Sequence, residues 1–72
     1  MTDTVLLEIK IKESGKKKGY LAEKCGLSRA GFRNCLINKA TWNSKHIVVL
    51  CEELHIYDLA EKEAIFFARD VA

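Results

Sequence analysis

The chain has no proline, only four glycines and no long apolar run. Proline- and glycine-rich stretches mark linkers and disorder, so their absence, together with 49% hydrophobic residues, predicts one folded domain over residues 1–72. The longest apolar runs, 47–51 and 64–68, have five residues each, against roughly 20 for a membrane span. Asp3, Glu8 and Lys10 place charges where a secretory signal would be apolar. We expect a cytoplasmic protein with no membrane partner.

Signatures of metal sites and catalysis are also missing. Cys25, Cys35 and Cys51 form no C-x-x-C pair, and no histidine stands at zinc-finger spacing. Each cysteine falls where the helical pattern expects an apolar residue, which predicts small buried side chains in a reducing compartment. His46 and His55 have no nearby serine, cysteine or carboxylate arrangement that would make either a catalytic base. The sequence predicts no enzyme, no cofactor and no small-molecule substrate.

Charge is unevenly distributed along the chain. Residues 1–45 contain ten Lys or Arg against four Asp or Glu, a balance of +6, whereas residues 46–72 contain two against six, a balance of −4. An anionic partner would be attracted to the basic half, with the acidic half facing away. The alternative is an ordinary solvated surface whose charges are uneven by chance.

Hydrophobic periodicity and capping residues predict five helices and no strand. Gly15 and Gly26 stand where a left-handed residue ends a helix, and Asn38 tolerates the same conformation. The first predicted helix covers about 4–14, with Asp3 or Thr4 as its N-cap, and the second covers about 17–24. The third runs from the N-cap Ser28 to near Asn38. The fourth follows Asn43 or Ser44, and the fifth runs from Asp58 towards the C-terminus.

Each predicted helix has an expected inward face. In the first, Leu7 and Ile11 face inward together with Val5 or Leu6. In the fifth, Asp58 and Glu61 have the spacing of a capping box. The remaining inward positions, on the second, third and fourth helices, are Leu21, Ala22, Cys25, Leu27, Phe32, Cys35, Leu36, Ile47, Leu50, Cys51 and Leu54.

Residues 18–39 form the most informative segment. A helix, a turn of about four residues at Gly26 and a second helix follow one another, which is the pattern that places a helix in a DNA groove. At about 100° per residue, the outer side of the second helix of this pair carries Asn34, with Arg33 on its flank. Arginine suits guanine edges or phosphates, and asparagine suits adenine. We expect contacts to DNA from Arg29, Arg33 and Asn34.

Three consecutive lysines, residues 16–18, stand at the predicted start of the second helix. A helix N-terminus carries about half a positive charge, so each cation there costs on the order of 0.3–1 kcal/mol. A phosphate docked at that terminus turns the penalty into attraction, which predicts a contact to the DNA backbone. A well-solvated loop is the alternative.

Four motifs follow one another: Leu-x-x-x-Ile-x-x-Ser-Gly from residue 7, Leu-Ala-x-x-Cys-Gly-Leu-Ser from residue 21, Phe-x-x-x-Leu-x-Asn-Lys from residue 32 and Leu-Cys-x-x-Leu-x-Ile from residue 50. This series resembles the phage Cro/CI-type helix-turn-helix (XRE) family. The segment EKEAIFFA, residues 61–68, resembles the short Cro-like and modulator-of-repression proteins of phages of lactic-acid bacteria.

The resemblance implies an all-α fold, a compact five-helix bundle of the lambda-repressor-like DNA-binding type with a helix-turn-helix formed by helices 2 and 3. Helix 3 would lie in the major groove of double-stranded operator DNA. By position, the resemblance implies base contacts from Arg29, Ala30 and Asn34, and backbone contacts from Lys18, Lys39 and Thr41. The full expected phosphate-binding set is Lys16, Lys17, Lys18, Ser28, Lys39, Thr41 and Lys45.

The apolar residues of the predicted fifth helix indicate contact with a partner chain. Ile65, Phe66 and Phe67 point in three directions, so one core cannot bury all of them. The resemblance implies a homodimer that matches a two-fold operator, and we expect Phe66, Phe67 and Val71 to contact the second copy. The alternative is a small domain with an exposed aromatic residue.

Two functions remain open from the sequence. The first is a Cro-like transcriptional regulator of a phage lysis/lysogeny switch. The second is an antirepressor, or modulator of repression, that binds the phage's CI-type repressor. Ala30 and Gly31, which cannot specify a base through a polar side chain, and the apolar residues of helix 5 with Ile37 are the features that favour the second.

Overall fold

Five helices make up the regular secondary structure of residues 1–68, the part of the chain that the computed structural model describes. They are α1 (Thr4–Ser14), α2 (Lys18–Cys25), α3 (Arg29–Leu36), α4 (Ser44–Glu53) and α5 (Leu59–Phe66). The predicted all-α class is confirmed over this range. No helix among these residues has the length and apolar character needed to cross a bilayer.

Local caps explain most of the helix boundaries. The side chains of Asp3 and Ser28 each accept a hydrogen bond, at 3.0 Å, from the amide three residues further on, at the starts of α1 and α3. Gly15 and Gly26 take φ angles of 72° and 71° after α1 and α2. This left-handed conformation is the one that glycine adopts without a steric penalty. These four capping positions agree with the sequence prediction.

Two helices are followed, two residues after their last residue, by a non-glycine residue in the left-handed region. α3 ends at Leu36, slightly before the expected Asn38, because Asn38 itself turns the chain with a φ of 60°. The Asn38 amide Nδ2 then donates to the Thr2 carbonyl at 3.0 Å, which fixes the turn by a contact distant in sequence. His55, with a φ of 57°, follows α4 in the same way.

The capping box occurs on α4 and not, as expected, on α5. Asn43 accepts from the His46 amide at 2.8 Å, and the His46 ring nitrogen Nδ1 accepts from the Asn43 amide at 3.3 Å. At α5, Asp58 caps the amide two residues on, but Glu61 does not reach back to it. Its carboxylate is drawn instead to Lys10 on α1, 3.2 Å away.

The core lies where α2 packs against α3 and α4 and where α1 packs against α5. The Cα radius of gyration is 11.3 Å, which matches the roughly 11 Å of a compact chain of this length. Cys25, Leu27 and Cys51 are half-buried at its edge. The buried apolar residues are Leu7, Ile11, Leu21, Ala22, Phe32, Cys35, Leu36, Trp42, Ile47, Leu50, Leu54, Ile56, Ile65 and Phe66.

The inward face of α1 is narrower than expected. Leu7 and Ile11 are buried as predicted, but Val5 and Leu6 are 68% and 38% exposed, so the expectation that one of them faces inward is wrong. α1 meets the bundle along a single stripe, and at about 100° per residue neither side chain lies on the Leu7 stripe. Ile9 is exposed as well, which leaves an apolar outer surface on α1.

Candidate nucleic-acid interface

The residues expected to contact bases lie on the exposed side of α3. The opposite side of the helix is anchored in the core by Phe32 and Leu36, and the Phe32 ring packs edge-on against Trp42 with centroids 5.1 Å apart. This anchoring fixes how α3 is rotated about its own axis. The four side chains it leaves exposed are those of Arg29, Ala30, Arg33 and Asn34.

An open groove runs between α1, the start of α2 and one side of α3, and we call it the basic groove. Four cations and two carboxylates are among its lining residues, which gives it a net positive charge. The charged lining residues are Glu8, Lys17, Lys18, Glu23, Arg29 and Arg33. The cations of α2 and those of α3 therefore lie on one surface. The sequence alone does not show this, because the two groups are separated along the chain.

The start of α2 lacks a side-chain cap. Lys17 is its N-cap residue and makes no capping hydrogen bond, and the first turn contains no acidic residue. The first amides of a helix have no partner within the helix, so those of α2 remain available as donors. An uncapped, positively charged helix start suits an anionic group.

Lys18 is paired inside the groove. Its Nζ lies 3.0 Å from Glu8 Oε2, and the two side chains are about half exposed. Exposed ion pairs of this kind contribute little, so a phosphate can replace the carboxylate at small cost. Lys17, Arg29 and Arg33 form no ion pair within residues 1–68.

Lys16 does not belong to the groove. Its Nζ donates to the Glu53 backbone carbonyl at 2.7 Å and to Glu53 Oε1 at 3.1 Å. The ammonium of Lys16 therefore caps the C-terminal end of α4, and its contact to phosphate stays a prediction. The hydrogen bond from Lys16 lowers the pKa of the Glu53 carboxyl below its ordinary value.

The other expected phosphate contacts are exposed. Ser28 Oγ is used as the acceptor that caps α3, which leaves its hydroxyl proton free to donate. Lys39, Thr41 and Lys45 lie in the α3–α4 loop and at the start of α4, and neither lysine forms an ion pair among the described residues. These side chains extend the positive surface beyond the groove.

The residues expected to form a partner interface on α5 differ in their exposure. Phe66 is only 4% exposed and belongs to the core of its own chain, so it does not present a surface to a partner. Phe67 is 55% exposed, and Val71 lies outside the described residues. Leu59, Ala60 and Phe67 are exposed on the outer side of α5, together with the charged Glu63.

The cysteines are packed rather than grouped for chemistry. All three are free, Cys35 is buried, and burial raises the thiol pKa of each, that of Cys25 to about 11. A thiol with a raised pKa stays protonated at neutral pH and is a poor nucleophile. Among residues 1–68, no three His, Cys, Asp or Glu side chains come together as metal ligands.

Sequence reasoning missed Trp42 and Gly19. Trp42 lies outside every helix yet is buried, and only its size and apolar character hinted at this. Gly19 lies in the first turn of α2 beneath the Arg29 side chain, where its missing Cβ is the relevant feature.

Comparison with protein-family models, curated proteins and solved structures finds no match to this chain.

Proposed function

We propose that this chain is a sequence-specific DNA-binding transcriptional regulator of the Cro type, acting in a phage lysis/lysogeny switch in the host bacterial cytoplasm. One observation carries the proposal: Lys17 at the start of α2 and Arg29 and Arg33 on α3 line a single open groove with no ion-pair partner among residues 1–68. Unpaired cations on one face are what a polyanion attracts.

In this proposal α2 and α3 act as a helix-turn-helix and their side chains divide the work of recognition. α3 enters the major groove of operator DNA, where Arg33 and Asn34 suit guanine and adenine edges. The uncapped start of α2, with Lys17 and Lys18, rests on the phosphate backbone. Lys39, Thr41 and Lys45 extend these backbone contacts.

A titration of duplex DNA at two salt concentrations, about 50 and 200 mM, tests the proposal. We expect wild-type affinity to fall steeply with salt, and the double variant Lys17→Glu/Lys18→Glu to bind every duplex more weakly. Each lost phosphate contact should make the negative slope of log K against log salt shallower by about 0.9.

Lys12→Glu/Lys24→Glu is the matched control, because it changes the net charge equally at positions that do not line the basic groove. Its slope should stay much closer to that of the wild type. Equal slopes for the two double variants would mean that Lys17 and Lys18 do not contact the DNA backbone.

A second candidate is supported by the apolar surface of the chain. Val5 and Ile9 on α1 and Leu59 and Phe67 on α5 are large, exposed and unpartnered among residues 1–68. Val5 and Ile9 lie side by side, and adjoining exposed apolar side chains suit a protein interface. This favours an antirepressor that binds the phage's CI-type repressor. Repeating the titration with the cognate repressor separates the two: binding only alongside repressor would overturn the autonomous regulator, and tight binding alone would overturn the antirepressor.

A further inference from the structure

The guanidinium of Arg29 lies beside Gly19 in the first turn of α2. A Cβ added at Gly19 would be 3.2 Å from Arg29 Nη2, 3.4 Å from Nε and 3.5 Å from Cζ. The two nitrogens would be nearer to that Cβ than Cζ, so the guanidinium approaches the glycine obliquely, with its Nε–Nη2 edge foremost. The glycine therefore provides the space in which the guanidinium lies.

No ion pair among the described residues fixes this position. Arg29 forms no ion pair within residues 1–68, although Glu8 and Glu23 line the same groove. Lys17 and Lys18, which carry the same charge, lie on the same turn of α2. A guanidinium kept beside like charges, with no carboxylate bonded to it, is well placed to receive an anionic group.

We propose that Gly19 is a positioning residue that leaves room for Arg29 beside α2, so that Arg29 contacts the DNA backbone and base discrimination falls to Arg33 and Asn34. This inference rests on the proposed function, and it changes the role of base contact that the family resemblance implied for Arg29. A side chain folded back onto the start of α2 points to the part of the motif that meets phosphates, away from the outer face of α3 that carries Asn34.

The first test compares Arg29→Met with Arg33→Met on short duplexes selected by the wild-type protein from a randomised pool. Arg29→Met should weaken binding to all of them by the same factor, roughly tenfold, and lower the salt slope by about 0.9. Arg33→Met should instead reduce the differences in affinity among the duplexes. Lys12→Met, which removes a positive charge outside the groove, should cause a much smaller loss.

The second test is a double-mutant cycle between positions 19 and 29. Leucine at position 19 occupies the space of the guanidinium and favours a helix, so Gly19→Leu should stay folded, as circular dichroism would show. We expect Gly19→Leu to lose as much affinity as Arg29→Met, and the combined variant to lose no more than either alone. Losses that multiply would overturn the positioning role.

Failure of the inference and failure of the proposed function give different results. If the wild-type protein binds no duplex, or binds all duplexes alike, the proposed function is wrong and the inference falls with it. If the wild type discriminates among duplexes but Arg29→Met changes their order of preference, Arg29 contacts bases and only the inference is overturned.

Discussion

Trp42 shows how one residue outside the helices contributes to the core. Its indole packs edge-on against Phe32 and against His46, with centroids 5.1 and 6.1 Å apart, and its Nε1 has no hydrogen-bond partner among residues 1–68. A buried donor without a partner costs on the order of 1–3 kcal/mol, which offsets part of the gain from burying the ring.

Two substitutions of Trp42 should therefore differ sharply. Trp42→Ala should cost about 3–5 kcal/mol, because it leaves a cavity, whereas Trp42→Phe should cost about 1 kcal/mol or less, since it also removes the unpaired N–H. Urea unfolding of both variants and of the wild type measures the two losses. Equal losses for the two variants would show that the indole nitrogen is satisfied in solution.

The capping residues that were predicted correctly depend only on groups close by in the chain. Ser28 caps an amide three residues away, and Gly26 needs only its own φ angle. Lys16 bonds to a residue 37 positions away and Asn38 to one 36 positions away, so neither contact could be found before the helices were packed. For the same reason, the burial of Phe66 rather than Phe67 could not be predicted.

At the scale of a helix, the start of α2 combines a weak cap with a proposed contact to DNA. Lys17→Ser supplies the missing side-chain acceptor, so we expect the free energy of unfolding to rise by roughly 1 kcal/mol. The same change removes a groove cation and should weaken duplex binding.

Thermal unfolding and a DNA titration of the Lys17→Ser protein test both halves of this expectation. Asn43→Ala at the start of α4 is the matched control, because it removes an existing cap and should destabilise by about 1 kcal/mol. A less stable Lys17→Ser protein would show that lysine already serves this position well.

The contact between Lys16 and Glu53 joins the α1–α2 turn to the end of α4 and makes stability depend on pH. The hydrogen bond from Lys16 lowers the pKa of Glu53 from its ordinary 4.5. A carboxyl with a lowered folded-state pKa stabilises the fold above its unfolded value and loses that contribution as the pH falls through the folded value. Acidification from neutral pH through 4.5 and below should therefore destabilise wild type more than Lys16→Met, in which the hydrogen bond is absent.

Unfolding of both proteins by urea across that pH range measures the difference. The gap in stability between wild type and Lys16→Met should narrow at the acid end, where Glu53 is protonated. A gap that stays constant would mean that only the bond to the Glu53 backbone carbonyl, which does not titrate, contributes.

At the scale of the whole molecule, two adjacent phenylalanines have opposite surroundings. Phe66→Ser should destabilise the fold by about 3 kcal/mol or more, because the side chain is buried in the core. Phe67→Ser should leave the fold intact and, if the predicted homodimer forms through this side chain, convert it to a monomer. Light scattering gives the mass and urea unfolding gives the stability. A wild-type protein with the mass of one chain would contradict the predicted dimer.

The outer surface was less predictable than the interior. Periodicity identified most of the core because burial repeats along a helix, as at Leu50 and Leu54. The basic groove arises where side chains from three helices meet, and the position of Arg29 depends on an absent Cβ at Gly19 on another helix. Contacts of this kind depend on the angles at which the helices pack. The sequence alone does not give those angles.

The first residues of the chain are held by late ones. The Asp3 amide donates to the Ile65 carbonyl at 2.6 Å, and Thr2, which is buried, accepts from Asn38. On a ribosome adding roughly 5–20 residues per second, α1 emerges early but finds its acceptor only after α5 has left the exit tunnel. The packing of α1 on α5 can therefore form only after α5 has been synthesised, whereas α2, α3 and α4 can pack together earlier.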